Sequence, residues 1–78
     1  MDTAEHVTTL LTGMFRLPPD SVLPDVPLYR LKIDSLALEE FRLVLEDELR
    51  LDLEDAPLSS RSTVGQLLAT VCEKAAVA

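Results

Sequence analysis

Four prolines within ten positions, Pro18, Pro19, Pro24 and Pro27, restrict this chain more than any other feature of its sequence. Each lacks a backbone N–H and pushes the residue before it out of the α region. No helix can run through that stretch. Leu17 is forced toward extended backbone, so a helix on its N-terminal side must stop there. The connection spans residues 17 to 33, and it is too apolar for a floppy linker. Val22, Leu23, Val26, Leu28, Tyr29 and Leu31 all need somewhere to go. A loop this long in a small domain is either functional or packed as a unit. It is expected to be stiffened by proline and pinned by those side chains.

Periodicity places helices on both sides. Before the prolines, Val7, Leu10, Leu11 and Met14 recur at one-face spacing, which predicts a helix from about Asp2 to Phe15. Asp2 and Glu5 stand as a capping box at its start. After the loop, a second helix is expected from about Ser35 to Leu51, with Asp34 as its cap. Leu38, Phe41, Leu45 and Leu49 form its buried stripe, and Ile33 and Leu38 occupy the positions of a hydrophobic staple. A short turn or helix is expected near Pro57–Ser60. The last helix is expected from Thr63, where Thr63 and Gln66 make another capping box. Val64, Leu67, Leu68, Val71 and Ala75 carry its apolar face. Three amphipathic helices that cannot bury their stripes alone imply an all-α chain, a small three-to-four-helix bundle with a long loop between the first two main helices.

Composition agrees and narrows the function. The 78 residues make one domain, 1–78, with 47% hydrophobic side chains, only 4% aromatic and two glycines. The core must therefore be aliphatic, and tight β-turns are scarce. Seven scattered bases against fourteen acids leave no electrostatic footprint for nucleic acid. No apolar run approaches the ~20 residues of a membrane span, and no secretory signal opens the chain. Cys72 stands alone, which fits a reducing, cytoplasmic setting. It is expected to act as a small core hydrophobe. No metal site is expected, since a calcium loop begun at Asp52 would place Pro57 where glycine is needed. No catalytic residues are expected either. His6 is the only histidine, and no glycine-rich oxyanion element accompanies it.

The charge is not spread evenly. Asp34, Glu39, Glu40, Glu46, Asp47, Glu48, Asp52, Glu54 and Asp55 face only Arg42 and Arg50, so this segment holds the whole net charge of −7. On a helical wheel with Leu38 at 0°, Leu36 falls at ~160° and Leu43 at ~140°, away from the buried stripe. Leucines exposed among Glu39, Glu40, Glu46 and Asp47 make the pattern of a docking patch, apolar anchors with an acidic rim. The same pattern also suits a solvated helix face.

Ser35 stands at the first position of that acidic helix, in Asp34-Ser35-Leu36. A phosphate ester there would meet unpaired backbone N–H groups and the positive end of the helix dipole. Serine is equally ordinary at a plain helix start. The wider context adds more. Pro27-Leu28-Tyr29-Arg30-Leu31-Lys32-Ile33-Asp34-Ser35-Leu36 resembles the acyl carrier protein signature, roughly P-L-x-x-L-G-hydrophobic-D-S-L. Glu40, Phe41, Leu45, Glu46, Glu48 and Leu49 stand where that family has its second-helix acids and core residues. Ser62-Thr63-Val64-Gly65-Gln66-Leu67 resembles the opening of its last helix. The resemblance covers essentially the whole chain.

It implies that Ser35, flanked by Asp34 and Leu36, carries 4′-phosphopantetheine and holds acyl groups as thioesters on that arm. It also implies that Leu36, Glu39, Glu40, Leu43, Glu46 and Asp47 contact partners, with Leu36, Glu40 and Leu43 at positions the family uses. The partners implied are a phosphopantetheinyl transferase and the acyl-loading, synthase and tailoring enzymes of polyketide or fatty-acid type biosynthesis, presenting basic patches. A free-standing monomer is expected. The chain departs from the signature at Lys32, where the family has glycine. Lysine there is expected to keep φ negative and so to alter the local turn. Two rivals stand beside this reading. One is an aminoacyl or peptidyl carrier, which more often shows a Gly-Gly-x-Ser motif and less acidity. The other is an unmodified helical adaptor that docks through the second helix and uses Ser35 only to start it.

Overall fold

The computed structural model describes residues 2–77, the Val77 side chain excepted. Three helices, α1 (Thr3–Phe15), α2 (Ser35–Leu49) and α3 (Val64–Val77), form a small bundle. Two short 3₁₀ turns, Pro19–Ser21 and Leu28–Leu31, interrupt the long connection. α1 packs chiefly on α3 and more lightly on α2. Among the described residues no helix is long and apolar enough to cross a membrane.

The helix ends follow from local chemistry. The Asp2 carboxylate accepts the Glu5 N–H at 2.7 Å and starts α1, but Glu5 returns no bond to Asp2, so only half of the expected box forms. Asp34 starts α2 by accepting the Ala37 N–H at 2.8 Å. The Thr63 box is complete. Its hydroxyl accepts the Gln66 N–H at 3.1 Å, and the Gln66 side chain accepts the Thr63 N–H at 2.9 Å. Thr63 is thus the cap, and α3 begins one residue later than expected. α2 ends at Leu49, two residues short of the expected Leu51, because Arg50 turns left-handed at φ 54°. Its N–H and that of Leu51 both return to the Glu46 carbonyl, which closes the helix. Residues 56–60 form no helix; the chain turns there through a bond from the Ser62 N–H to the Ser59 carbonyl at 3.0 Å.

The core is aliphatic, as the composition requires. Val7 and Leu11 of α1, Leu38, Phe41 and Leu45 of α2, and Val64, Leu67 and Val71 of α3 are buried together. Phe15 and Phe41 meet with ring centroids 5.8 Å apart. The staple residues Ile33 and Leu38 both lie in this core. Leu53, in the loop after α2, is fully buried, although no periodicity singles it out. Some expected core residues are not buried. Met14, Leu23 and Tyr29 are exposed, and Cys72 is only half-buried. Met14 lies three residues after the buried Leu11 and Cys72 one after the buried Val71, beside the buried stripes rather than in them.

The long connection is fastened by backbone rather than by its side chains alone. Leu28 N–H donates to the Ser62 carbonyl and Tyr29 N–H to the Ser60 carbonyl, each at 2.9 Å. Val64 N–H donates to the Val26 carbonyl and Gly65 N–H to the Pro24 carbonyl, also at 2.9 Å. These four bonds tie residues 24–29 to residues 60–65 and include one isolated antiparallel bridge, Pro27 to Thr63. Gly65 eases the approach, since a Cβ there would stand 3.0 Å from the Pro24 carbonyl oxygen and the loop would have to shift. Leu28 and Leu31 turn inward from the fastened segment and anchor it in the core. The loop therefore delivers Ile33 and Asp34 to the start of α2 in one fixed position.

Candidate functional site

Ser35 is exposed at the first position of α2, and its hydroxyl forms no bond among the described residues. Asp34 engages the Ala37 N–H with its side chain and the Leu38 N–H with its carbonyl. The Ser35 and Leu36 N–H groups have no protein partner among the described residues. An anionic ester on Ser35 would therefore sit beside two free donors at the positive end of a 15-residue helix.

Lys32 does not avoid the conformation of glycine. It is left-handed, with φ 63°, and its N–H closes the preceding 3₁₀ turn on the Leu28 and Tyr29 carbonyls. The expectation of a negative φ is thus overturned. The bonds that tie this loop to α3 hold the turn in place, and lysine accepts the steric cost of about 1–2 kcal/mol that a Cβ meets there. The turn into α2 keeps a shape suited to glycine without having one.

A recess of about 220 Å³ opens beside Ser35, lined by Leu38, Glu39, Arg42, Leu58, Ser59 and Ser60 as well. Arg42 is its organising residue, and nothing in the periodicity marks it. Its guanidinium donates to the Glu54 carbonyl at 2.9 Å and to the Leu53 carbonyl at 3.3 Å, and it pairs with the Glu39 carboxylate. That last bond holds the Arg42 pKa above its ordinary value. The one sequence signal for Arg42 is its place as the sole base among the acids of α2, three residues after Glu39.

The structure sorts the six candidate docking residues into two groups. Leu36, Glu40, Leu43 and Asp47 are exposed, Leu36 at 68% and Leu43 at 57%, and they form the outermost ridge of α2. Glu39, also exposed, and the half-buried Glu46 lie on the flank facing the following loop. Glu39 holds Arg42, and the Glu46 carboxylate accepts the Leu53 N–H at 2.8 Å. These two bonds help to bury Leu53 and to set the wall of the recess.

A serine hydroxyl exposed on a first turn is accessible to esterification, and free amides beside it would favour an anionic group there. The chain matches the phosphopantetheine attachment site family over residues 5–71. It belongs to that family. Neither the curated proteins nor the solved structures compared with it gave a match. Members of this family are carriers, with 4′-phosphopantetheine attached covalently to a serine. The matched segment holds five serines, at 21, 35, 59, 60 and 62. In this carrier three of the hydroxyls are engaged: Ser21 donates to the Pro18 carbonyl, Ser59 accepts the Arg61 N–H, and Ser62 accepts the Ser59 N–H. Ser60 is half-buried in a turn. Ser35 differs from these four in being both exposed and unbonded among the described residues.

Proposed function

We propose that Ser35 is the attachment site, and that this carrier delivers acyl groups to enzymes of polyketide or fatty-acid type biosynthesis. The observation that carries the reading is the free, exposed Ser35 hydroxyl at the amino end of α2, beside the unpartnered Ser35 and Leu36 amides. The arm, once attached, supplies a thiol that holds acyl groups as thioesters. The chain's own residues do the rest. Ser35 Oγ becomes the ester oxygen when a phosphopantetheinyl transferase moves the group from coenzyme A, releasing 3′,5′-ADP. The two first-turn amides receive the charge of the resulting phosphodiester. Asp34 holds the first turn through the Ala37 N–H and keeps Ser35 outermost.

Leu36, Glu40, Leu43 and Asp47 make the docking ridge, with Glu39 and Glu46 on its flank. Partners are expected to offer a basic patch with a small apolar recess. Charge then sets encounter and orientation, and the leucines set residence. Acyl cargo is favoured over aminoacyl cargo by Asp34-Ser35-Leu36 in place of Gly-Gly-x-Ser and by the acidity of α2. The carrier works on this reading as a cytoplasmic monomer, without chemistry of its own.

Intact mass after incubation with coenzyme A and a transferase tests the proposal. A single addition is expected, mapping to the peptide that contains Ser35 and lost in Ser35→Ala. Addition at another serine, or its persistence in Ser35→Ala, rules the site out. No addition at all favours the unmodified adaptor.

A further inference from the structure

The acidic helix is not the only charged surface near Ser35. A second recess, of about 450 Å³, lies where the end of α1 meets the loop before α2. Its walls include Phe15, Leu17 and Leu31, and three cations line it: Arg16, Arg30 and Lys32. These are three of only seven bases in the chain. None of them forms an ion pair among the described residues, although acids outnumber bases two to one; the ion pairs there are Arg42 with Glu39 and Lys74 with Asp55. Two of the three, Arg16 and Lys32, are held at positive φ, 54° and 63°, where glycine would be less strained.

We infer that this recess is a second docking element, opposite in sign to α2, which takes an acidic loop tipped with an apolar side chain from an enzyme acting on Ser35. Charge complementarity sets the acidity of that loop, and the walls of Phe15, Leu17 and Leu31 set its apolar tip. Proximity supplies the occasion. Lys32 is three residues from Ser35, so their Cα atoms lie within about 11 Å of each other. An enzyme that reaches Ser35 brings its surface over Lys32 as well. A partner that meets the acidic ridge with bases and the recess with acids has one orientation available, whereas a purely basic partner surface is repelled at Lys32. The inference rests on the assignment of Ser35 as the attachment site.

The test uses the full chain and a triple variant, Arg16→Gly, Arg30→Gln, Lys32→Gly. Glycine is at ease at both positive-φ positions, so the variant is expected to melt no lower than the parent. The first measurement is a ¹⁵N–¹H NMR titration with the capped peptide Asp-Glu-Leu-Glu-Asp, and with inorganic phosphate beside it. Saturable shifts at Leu17, Leu31 and Lys32 are expected with the peptide, absent from the triple variant and much weaker with phosphate. The second is the rate at which a phosphopantetheinyl transferase loads Ser35, expected to fall roughly tenfold in the variant at low salt. Equal shifts with phosphate would make the recess a small-anion site and overturn the inference. So would peptide shifts confined to α2, or an unchanged loading rate at Ser35. Loading of the parent chain at a different serine would instead overturn the assignment of Ser35, and the peptide titration would be untouched by it.

Discussion

At the scale of single residues, the two glycines make opposite demands. Gly13 lies exposed inside α1, and a Cβ added there would meet nothing within 4 Å. Gly13→Ala should gain about 1 kcal/mol from helix propensity, a rise of roughly 4–8 °C in Tm for a domain of this size. Gly65→Ala gains the same propensity but drives a Cβ to 3.0 Å from the Pro24 carbonyl oxygen, which also accepts the Gly65 N–H. Overpacking costs of ~1–3 kcal/mol should outweigh the gain, and Tm should fall. Thermal melts of the two variants side by side check the pair; a rise in both would show that the loop yields. Arg50, at φ 54°, belongs to the same class of argument. Arg50→Gly should stabilise by up to about 1 kcal/mol, read by urea titration, because relief of the left-handed strain exceeds the added entropy of the unfolded chain.

At the scale of elements, α2 separates a buried stripe from an exposed ridge along one helix. Leu38→Ala and Leu45→Ala should each cost ~2–5 kcal/mol, comparable to the whole stability of so small a domain. Leu43→Ala, on the exposed ridge, should cost far less. Similar melting losses for Leu43 and Leu45 would contradict the helix phase described above. The double reversal Glu40→Lys, Asp47→Lys should slow association with a cognate transferase or synthase roughly tenfold at low salt and leave the melt unchanged. Stopped-flow rates at two ionic strengths check this, and association indifferent to both salt and reversal would make the ridge a solvated face. The phase of α2 is legible in the sequence because its apolar residues recur at helical spacing and its cap and staple stand at fixed offsets. The end of α2, the burial of Leu53 and the role of Arg42 are not. Each depends on bonds between α2 and the loop after it, and those that hold Leu53 and Arg42 join residues seven to twelve apart in sequence, where no local pattern encodes them. Lys32 is hidden for a related reason: its residue type argues for negative φ, and the closing bonds to Leu28 and Tyr29, with the backbone bonds that fasten the loop, reverse that.

At the scale of the whole molecule, the structure measures 30 × 25 × 19 Å, and the net charge of −7 is held within one stretch of its sequence, between residues 34 and 55. The one ion pair from that segment to α3 among the described residues joins Asp55 to Lys74 at 3.1 Å, and the hydrogen bond from Lys74 holds the Asp55 carboxyl below its ordinary pKa. A depressed carboxylate contributes stability above its unfolded pKa and loses it as the pH falls through the folded one. The pair should thus be intact at neutral pH and be lost only once the pH falls below the ordinary carboxylate range. Comparing Asp55→Asn with the parent over a falling pH series checks it: the two melts should differ slightly at pH 7 and converge below the ordinary carboxylate range.

The four backbone bonds between residues 24–29 and 60–65 bear on time as well as shape. During synthesis, α1, the proline loop and α2 all leave the ribosome before the residues that fasten the loop. Until Ser60 to Gly65 emerge, Leu28 and Tyr29 have no carbonyls to receive their N–H groups, and nothing downstream holds the turn that leads into Asp34. The proposed attachment site is thus completed by residues made more than twenty positions after Ser35 itself. A nascent chain halted before Ser60 should be a poor substrate for a transferase even though its serine is already in the solvent. The arm would then be added only to carriers that have finished folding, and the late position of those anchors would act as a check on quality.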